Sequence, residues 1–257
     1  MPPAKTYKAT GIVLRKTKLG EKDLIVTLIT QAGDLVKVVA KGARKPGGSF
    51  ASKLELFAEV DFMAAHGRTL DVITDARFSQ GVPRPDFDLE QTACASVIAD
   101  LLSYACQEGL EQPRIYDMSR EALRVIALSQ PADALAITAA ALVKLVSALG
   151  FRPYIDTCCS CFEPVDFEAQ HARILFSAEG GGVVCPSCER DAEGFYVEAR
   201  TLIWTRTLLL ARFANMFELH VPPEASLSVL QLMQSWISSH LGKNMKSLAY
   251  IFTCGLF

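Results

Sequence analysis

The chain has 257 residues, half of them hydrophobic, and a formal net charge of -2 at pH 7. That length and apolar content support one large domain or two to three smaller ones with real cores, and exclude a disordered linker. The small net charge hides an asymmetry: residues 1–53 hold eleven Lys or Arg against Glu21, Asp23 and Asp34, a local +8, which leaves -10 for the remainder.

A basic lobe on an acidic body suits a polyanionic partner at one end, because neutralising phosphates releases condensed counterions. A solvated basic surface is the alternative. Eight cysteines without a charged n-region, apolar h-region and small-residue cleavage site read as reduced cytoplasmic thiols. The longest apolar candidate, Ile137 to Phe151, is broken by Lys144 and is shorter than the roughly 18 residues that a membrane span needs. A soluble protein with no membrane contact is expected.

In chain order, residues 7–78 read as strands. Thr10–Arg15 and Leu24–Thr30 are β-branched runs, Gln31-Ala-Gly-Asp34 is a hairpin turn and Leu35–Ala40 returns; Leu54–Met63 and Leu70–Phe78 follow, joined by His66-Gly67-Arg68. Five short strands predict a small barrel of the OB type, whose strand faces and loops bind oligonucleotides. Lys41 to Ser49 is too rich in Gly and Pro for regular structure and carries three positive charges; it reads as a mobile basic loop that follows phosphates without reading sequence. Phe50 and Phe57 are read as barrel core, with base stacking as the alternative. Arg15, Lys16, Lys37, Lys41, Arg44 and Lys45 are the candidate DNA contacts. Arg15 and Lys16 adjoin in a strand and point to opposite faces.

After Gly81-Val-Pro-Arg-Pro85 the period becomes helical: Asp86–Glu108, Pro113–Ser129 and Pro131–Leu149, then Tyr196–Met216, Leu227–Leu241 and a last apolar turn at Ser247–Phe252. Between them, two Cys-x-x-Cys pairs, Cys158 with Cys161 and Cys185 with Cys188, sit in a segment from Tyr154 to Asp191 that contains Gly180-Gly-Gly182. A two-residue spacer lets one tight turn aim two thiolates at one ion, and four such ligands close a tetrahedral shell. Structural zinc is the expected cofactor, against a disulfide or unrelated thiols. Cys159 is read as a spectator, and the segment as too poor in apolar residues to hold itself without metal.

No phosphate loop, dinucleotide fingerprint or Gly-x-Ser-x-Gly elbow occurs. A zinc deaminase needs His-x-Glu before its cysteines, whereas His171 precedes Ala172-Arg173. The four histidines His66, His171, His220 and His240 show no partner spacing. No catalytic residue is assigned, and the protein is expected not to be an enzyme.

Ala9-Thr-Gly-Ile-Val-Leu14, Leu19-Gly-Glu-Lys-Asp-Leu24, Val38-Val-Ala-Lys-Gly-Ala-Arg44, Leu149-Gly-Phe-x-Pro153, the two cysteine pairs and Leu241-Gly-x-x-x-Lys246-Ser247 together resemble RecO, the bacterial recombination mediator of DNA repair. The resemblance implies an α+β multidomain protein: an N-terminal five-stranded OB-fold barrel (1–80) and a helical bundle in two parts (81–153 and 193–257) with an inserted four-cysteine zinc module (154–192). It implies binding of single-stranded and double-stranded DNA, strand annealing and assistance to RecA loading on DNA coated by single-strand-binding protein. It further implies RecR and that protein as partners, RecA indirectly, and a cytoplasmic, nucleoid-associated location. A single-strand-binding protein offers an acidic, apolar-ended tail, for which Arg120 and Arg124, one helical turn apart, are the candidate grip; local pairing to Glu121 or Asp117 is the alternative. Phe162 departs from the pattern of many knuckles, which place Gly there for a positive φ. A zinc-stabilised module for RNA or a transcription complex is the second reading.

Overall fold

The computed structural model describes residues 6–45, 50, 52–80, 86–167 and 173–257. Residues 46–49 of the basic loop, the segment 81–85 and His171 lie outside the described residues. The chain divides into two compact units, one of residues 1–87 with 99–124, the other of 88–98 with 125–257.

The first unit is built on a closed barrel of order β1-β2-β3-β5-β4, formed by Thr6–Leu19 (β1), Asp23–Thr30 (β2), Leu35–Ala40 (β3), Glu59–Ala65 (β4) and Asp71–Phe78 (β5). This is the expected five-stranded barrel. β1 is longer than the β-branched run suggests because it serves two partners: Thr6–Ile12 pairs with β4 and Gly11–Leu19 with β2, with a bulge between Val13 and Arg15. A bulge bends and twists a strand, which lets one strand close a barrel. The closing contact is the parallel β3–β5 pair at Val38↔Asp71 and Val39↔Val72.

Val13, Val26, Leu28, Val38, Val60 and Phe62 fill the interior. Phe50 packs against them partly buried, and Phe57 is buried with its ring 5.5 Å from that of Phe87. Phe50 thus packs on the barrel core as read, whereas Phe57, in a turn at φ 65°, is buried outside that cluster against Phe87. The segment Leu54–Ala58 is turn and not strand, with Leu54, Phe57 and Ala58 buried and Leu56 exposed; β4 begins at Glu59. Gln112 N–H donates to Ala32 O at 2.8 Å and Leu35 N–H to Gln107 O at 3.1 Å, so the β2–β3 turn is bonded to residues 107–112.

The helices are Leu89–Ala105 (α1), Pro113–Ile126 (α2), Pro131–Ala148 (α3), Ala199–Leu210 (α4), Pro223–Leu241 (α5) and Lys246–Thr253 (α6). In the second unit α3 is the central helix, buried continuously from Ala134 to Val143, with Ala at five of those positions so that neighbours approach closely. Its 18 residues of mean hydropathy 1.5 would suffice, by length and composition alone, to cross a bilayer, which corrects the judgement that the apolar run is too short. Most of that helix is buried, as a core helix must be.

Two expectations fail here. Phe195–Glu198 is a strand (β8) and not the start of a helix at Tyr196; it pairs antiparallel with Arg173–Ser177 (β6), whose other edge carries Gly182–Val184 (β7). Aromatic and β-branched residues found a strand partner about twenty positions back, a non-local choice that a local helical period cannot register. The cysteine segment is also not short of apolar residues: Ile174, Leu175, Phe176, Val183 and Val184 are buried. The Phe176 ring lies 5.7 Å from Trp236 of α5, and the Trp236 indole N–H donates to Phe151 O at 2.8 Å.

Candidate metal centre and nucleic-acid face

The metal centre is assembled from two turns. In the first, Phe162 N–H donates to Cys158 O at 2.9 Å and Cys158 N–H to Glu163 O at 2.8 Å; in the second, Cys188 N–H donates to Cys185 O at 3.0 Å. The sulfurs of Cys158, Cys161, Cys185 and Cys188 all lie within 4.8 Å of one another. Cys161 Sγ and Cys185 Sγ are 3.7 Å apart, close to the edge of about 3.8 Å that a tetrahedron with metal–sulfur bonds of about 2.3 Å requires. All eight cysteines are free thiols, which sets the disulfide alternative aside.

Cys158 Sγ accepts N–H bonds from Ser160 at 3.4 Å and Cys185 at 3.3 Å. Burial alone would raise its thiol, but backbone N–H groups of Cys161, Cys185 and Ser160 outweigh burial and bring it down to about 6. The Cys188 thiol is pushed up to about 12 by hydrogen bonding to Cys185 and Cys161. Four clustered thiols cannot all ionise together without a cation among them, and this mutual opposition is what a divalent ion would relieve. Cys159 stands outside the cluster, with Sγ 3.8 Å from Gly182 O. Phe162 does occupy the left-handed region at φ 63°, where a side chain costs on the order of 1–2 kcal/mol.

On the barrel, Arg15, Lys16, Lys37, Lys41, Arg44 and Lys45 are all exposed. Register groups them further. Arg15 pairs with Thr27 and Thr27 with Lys37, so the two cations share one row on one face, two inter-strand spacings of about 4.8 Å apart. Thr27 between them is only 7% exposed. Lys16 pairs instead with the core residue Val26, which puts it on the other face of the ribbon, as adjacency demands.

Lys41–Lys45 is an ordered turn, which corrects the picture of a mobile loop for its described part. Gly42 N–H donates to Asp23 Oδ1 at 2.7 Å, Arg44 N–H to Lys22 O at 3.0 Å and the Arg44 guanidinium to Gly20 O at 3.0 Å. The turn is thereby fastened to the β1–β2 hairpin, and Lys18 and Lys22 of that hairpin, both exposed, join its cations. The sequence reading did not select these two; their place in a hairpin next to a basic turn was the available signal. Arg68 in the β4–β5 connection is exposed as well.

Arg120 and Arg124 are each committed to a carboxylate. Arg120 Nε lies 2.5 Å from Glu59 Oε2, and Arg124 donates twice to Glu121 at 2.9 and 3.0 Å. The Glu59 side chain is only 10% exposed, so Arg120→Ala would leave a carboxylate short of its partner in a nearly dry place. A loss of about 1–3 kcal/mol is expected on urea unfolding, against about 0.5 kcal/mol for Arg124→Ala, an exposed pair on one helix.

Comparison with known proteins places these features in a lineage. Residues 3–82 match the family described as Recombination protein O N terminal, and residues 86–249 match Recombination protein O C terminal. The chain belongs to the RecO family. It is 27% identical over 245 residues to the DNA repair protein RecO of Desulfitobacterium hafniense, covering 94% of this chain and 87% of that protein. It is 34% identical over 198 residues to that of Rubrobacter xylanophilus, with 76% and 77% covered, and 29% identical over 258 residues to that of Desulfatibacillum aliphaticivorans, with 98% and 97% covered. A RecO chain is a DNA repair and recombination protein, and this one carries an OB-type barrel together with four cysteines placed to hold a metal ion.

Proposed function

We propose that this RecO protein is a non-enzymatic mediator: its barrel binds single-stranded and double-stranded DNA through phosphates, lets complementary strands pair, and assists RecA loading on DNA coated by single-strand-binding protein, with RecR as co-partner. The observation that carries the reading is the row of Arg15 and Lys37 on the β1–β3 face, continued by Lys41, Arg44 and Lys45 on a turn fixed to the β1–β2 hairpin. The face of strands 2 and 3 and the first hairpin loop are where OB barrels hold oligonucleotides. Annealing needs no acid, base or nucleophile. A positive surface lowers the repulsion between two strands and holds both loosely enough for bases to find each other.

The four cysteines fit zinc best among common ions, since an all-thiolate tetrahedron is soft and closed to water. In this role the metal ties the two knuckles together and supplies no open coordination position. A tail carboxylate from single-strand-binding protein, if gripped by Arg120 and Arg124, displaces Glu59 or Glu121.

The deciding measurement is annealing of complementary oligonucleotides coated with single-strand-binding protein. The chain is expected to accelerate it, and no acceleration would remove the mediator reading; clearly tighter binding of RNA than DNA would favour the RNA module. Lys41→Ala, Arg44→Ala and Lys45→Ala together should weaken binding to all sequences equally and flatten log affinity against log salt by roughly 0.7 per lost single-strand contact. Because Arg44 also braces Gly20, Arg44→Lys serves as the charge-preserving control.

A further inference from the structure

The metal module differs in charge from the barrel. Residues 154–198 contain nine acidic side chains against Arg173 and Arg190, with no Lys, a net of -7. Four thiolates around a divalent ion would add two further negative charges. A phosphate backbone is repelled by such a surface, so whatever it contacts is unlike the barrel's ligand.

On this acidic ground stands an aromatic patch. Tyr154 and Phe162 are 47% and 62% exposed, with ring centroids 5.8 Å apart and planes at 69°. Glu163 follows Phe162 directly. Glu163 is exposed and, among the described residues, forms no ion pair, whereas Asp156 and Glu198 of the same module are paired to Arg206 and Arg200. Open ring faces attract a guanidinium through their quadrupole, and nearby carboxylates complement its charge and fork of donors.

We propose that Tyr154 and Phe162, with the adjoining Glu163 and in a module of net charge -7, form a docking surface for an arginine-bearing segment of a partner protein. Phe162 is held at φ 63°, a conformation in which Gly would sit without strain, so its side chain can be removed in a way that separates recognition from folding. The proposal is independent of DNA binding by the barrel.

The test uses the full, metal-loaded chain and fluorescence anisotropy with labelled hexa-arginine, hexa-lysine and a single-stranded oligonucleotide. The arginine peptide is expected to bind more tightly than the lysine peptide by about threefold or more. Tyr154→Ala with Phe162→Ala should weaken the arginine peptide about fivefold and abolish the preference, and Glu163→Gln should weaken both peptides and flatten their salt dependence. Phe162→Gly should weaken the arginine peptide yet raise thermal stability at unchanged metal content, because it relieves the positive φ. Equal binding of the two peptides that ignores the aromatic substitutions would overturn the proposal. So would reduced stability in Phe162→Gly with peptide binding intact, or a loss of oligonucleotide affinity alone in the double Ala variant, which would make the patch a base-stacking platform.

Discussion

Cys158→Ser is expected to release the metal and to cost the second unit several kcal/mol, out of the roughly 10–16 kcal/mol that a structural zinc supplies to small metal-folded domains. Cys158 is fully buried and its sulfur takes two backbone N–H bonds, from Ser160 and Cys185, so a shorter, harder oxygen loses both the metal bond and these contacts. The loss should remain partial because β6, β7 and β8 keep a buried apolar set and Phe176 keeps its contact with Trp236. Hydrogen exchange should therefore rise through the two knuckles more than through β6. Both tryptophans, Trp204 and Trp236, lie in the second unit, so their fluorescence follows this transition while the barrel and its DNA affinity stay near wild type. Cys159→Ser, with its sulfur outside the cluster, should keep about one metal per chain. Full retention in Cys158→Ser, or loss in Cys159→Ser, would mean a different ligand set.

The second large effect is expected at Gly33 in the β2–β3 turn. Its φ is +86°, and a Cβ there would lie 2.0 Å from Gln112 O and 2.2 Å from Gln112 C. Both are backbone atoms, held by the bond from Gln112 N–H to Ala32 O, so no side-chain rotation makes room. Gly33→Ala should cost more than about 3 kcal/mol, at the diagnostic end of single substitutions, and should expose the amides of β2, β3 and the 107–112 segment together. Gly20→Ala is the control: φ is +58° but nothing lies within 4 Å of the added methyl, so only about 1 kcal/mol of backbone preference is at stake. Equal stability of the two variants would show that the turn's attachment to residues 107–112 contributes little.

What the sequence by itself determined is local and chemical. The Leu35–Ala40 strand, the turn at Gln31–Asp34 and the start of α3 at Pro131 follow from β-branched runs, turn residues and proline at a first helical turn, signals that act within a few residues. The four metal-ligating candidates were legible because a two-residue thiol spacer has few other uses, and the basic character of the barrel because charge counts need no fold. Phe162 was legible as a departure from Gly, and its positive φ follows from the same knuckle turn.

The tertiary structure decided whatever depends on partners distant in the chain. β8 is a strand because β6 offers it an edge across the intervening knuckle. β1 runs from Thr6 to Leu19 because its first half pairs with β4 and its second half with β2. The basic turn is ordered because Asp23, Lys22 and Gly20 of another hairpin accept its hydrogen bonds. Arg15 and Lys37 become one row only through Thr27, and Arg120 belongs to Glu59, 61 residues away. Residue type specifies what a side chain can bind, whereas register and long-range pairing specify which side chains meet, and no local pattern carries that second kind of information.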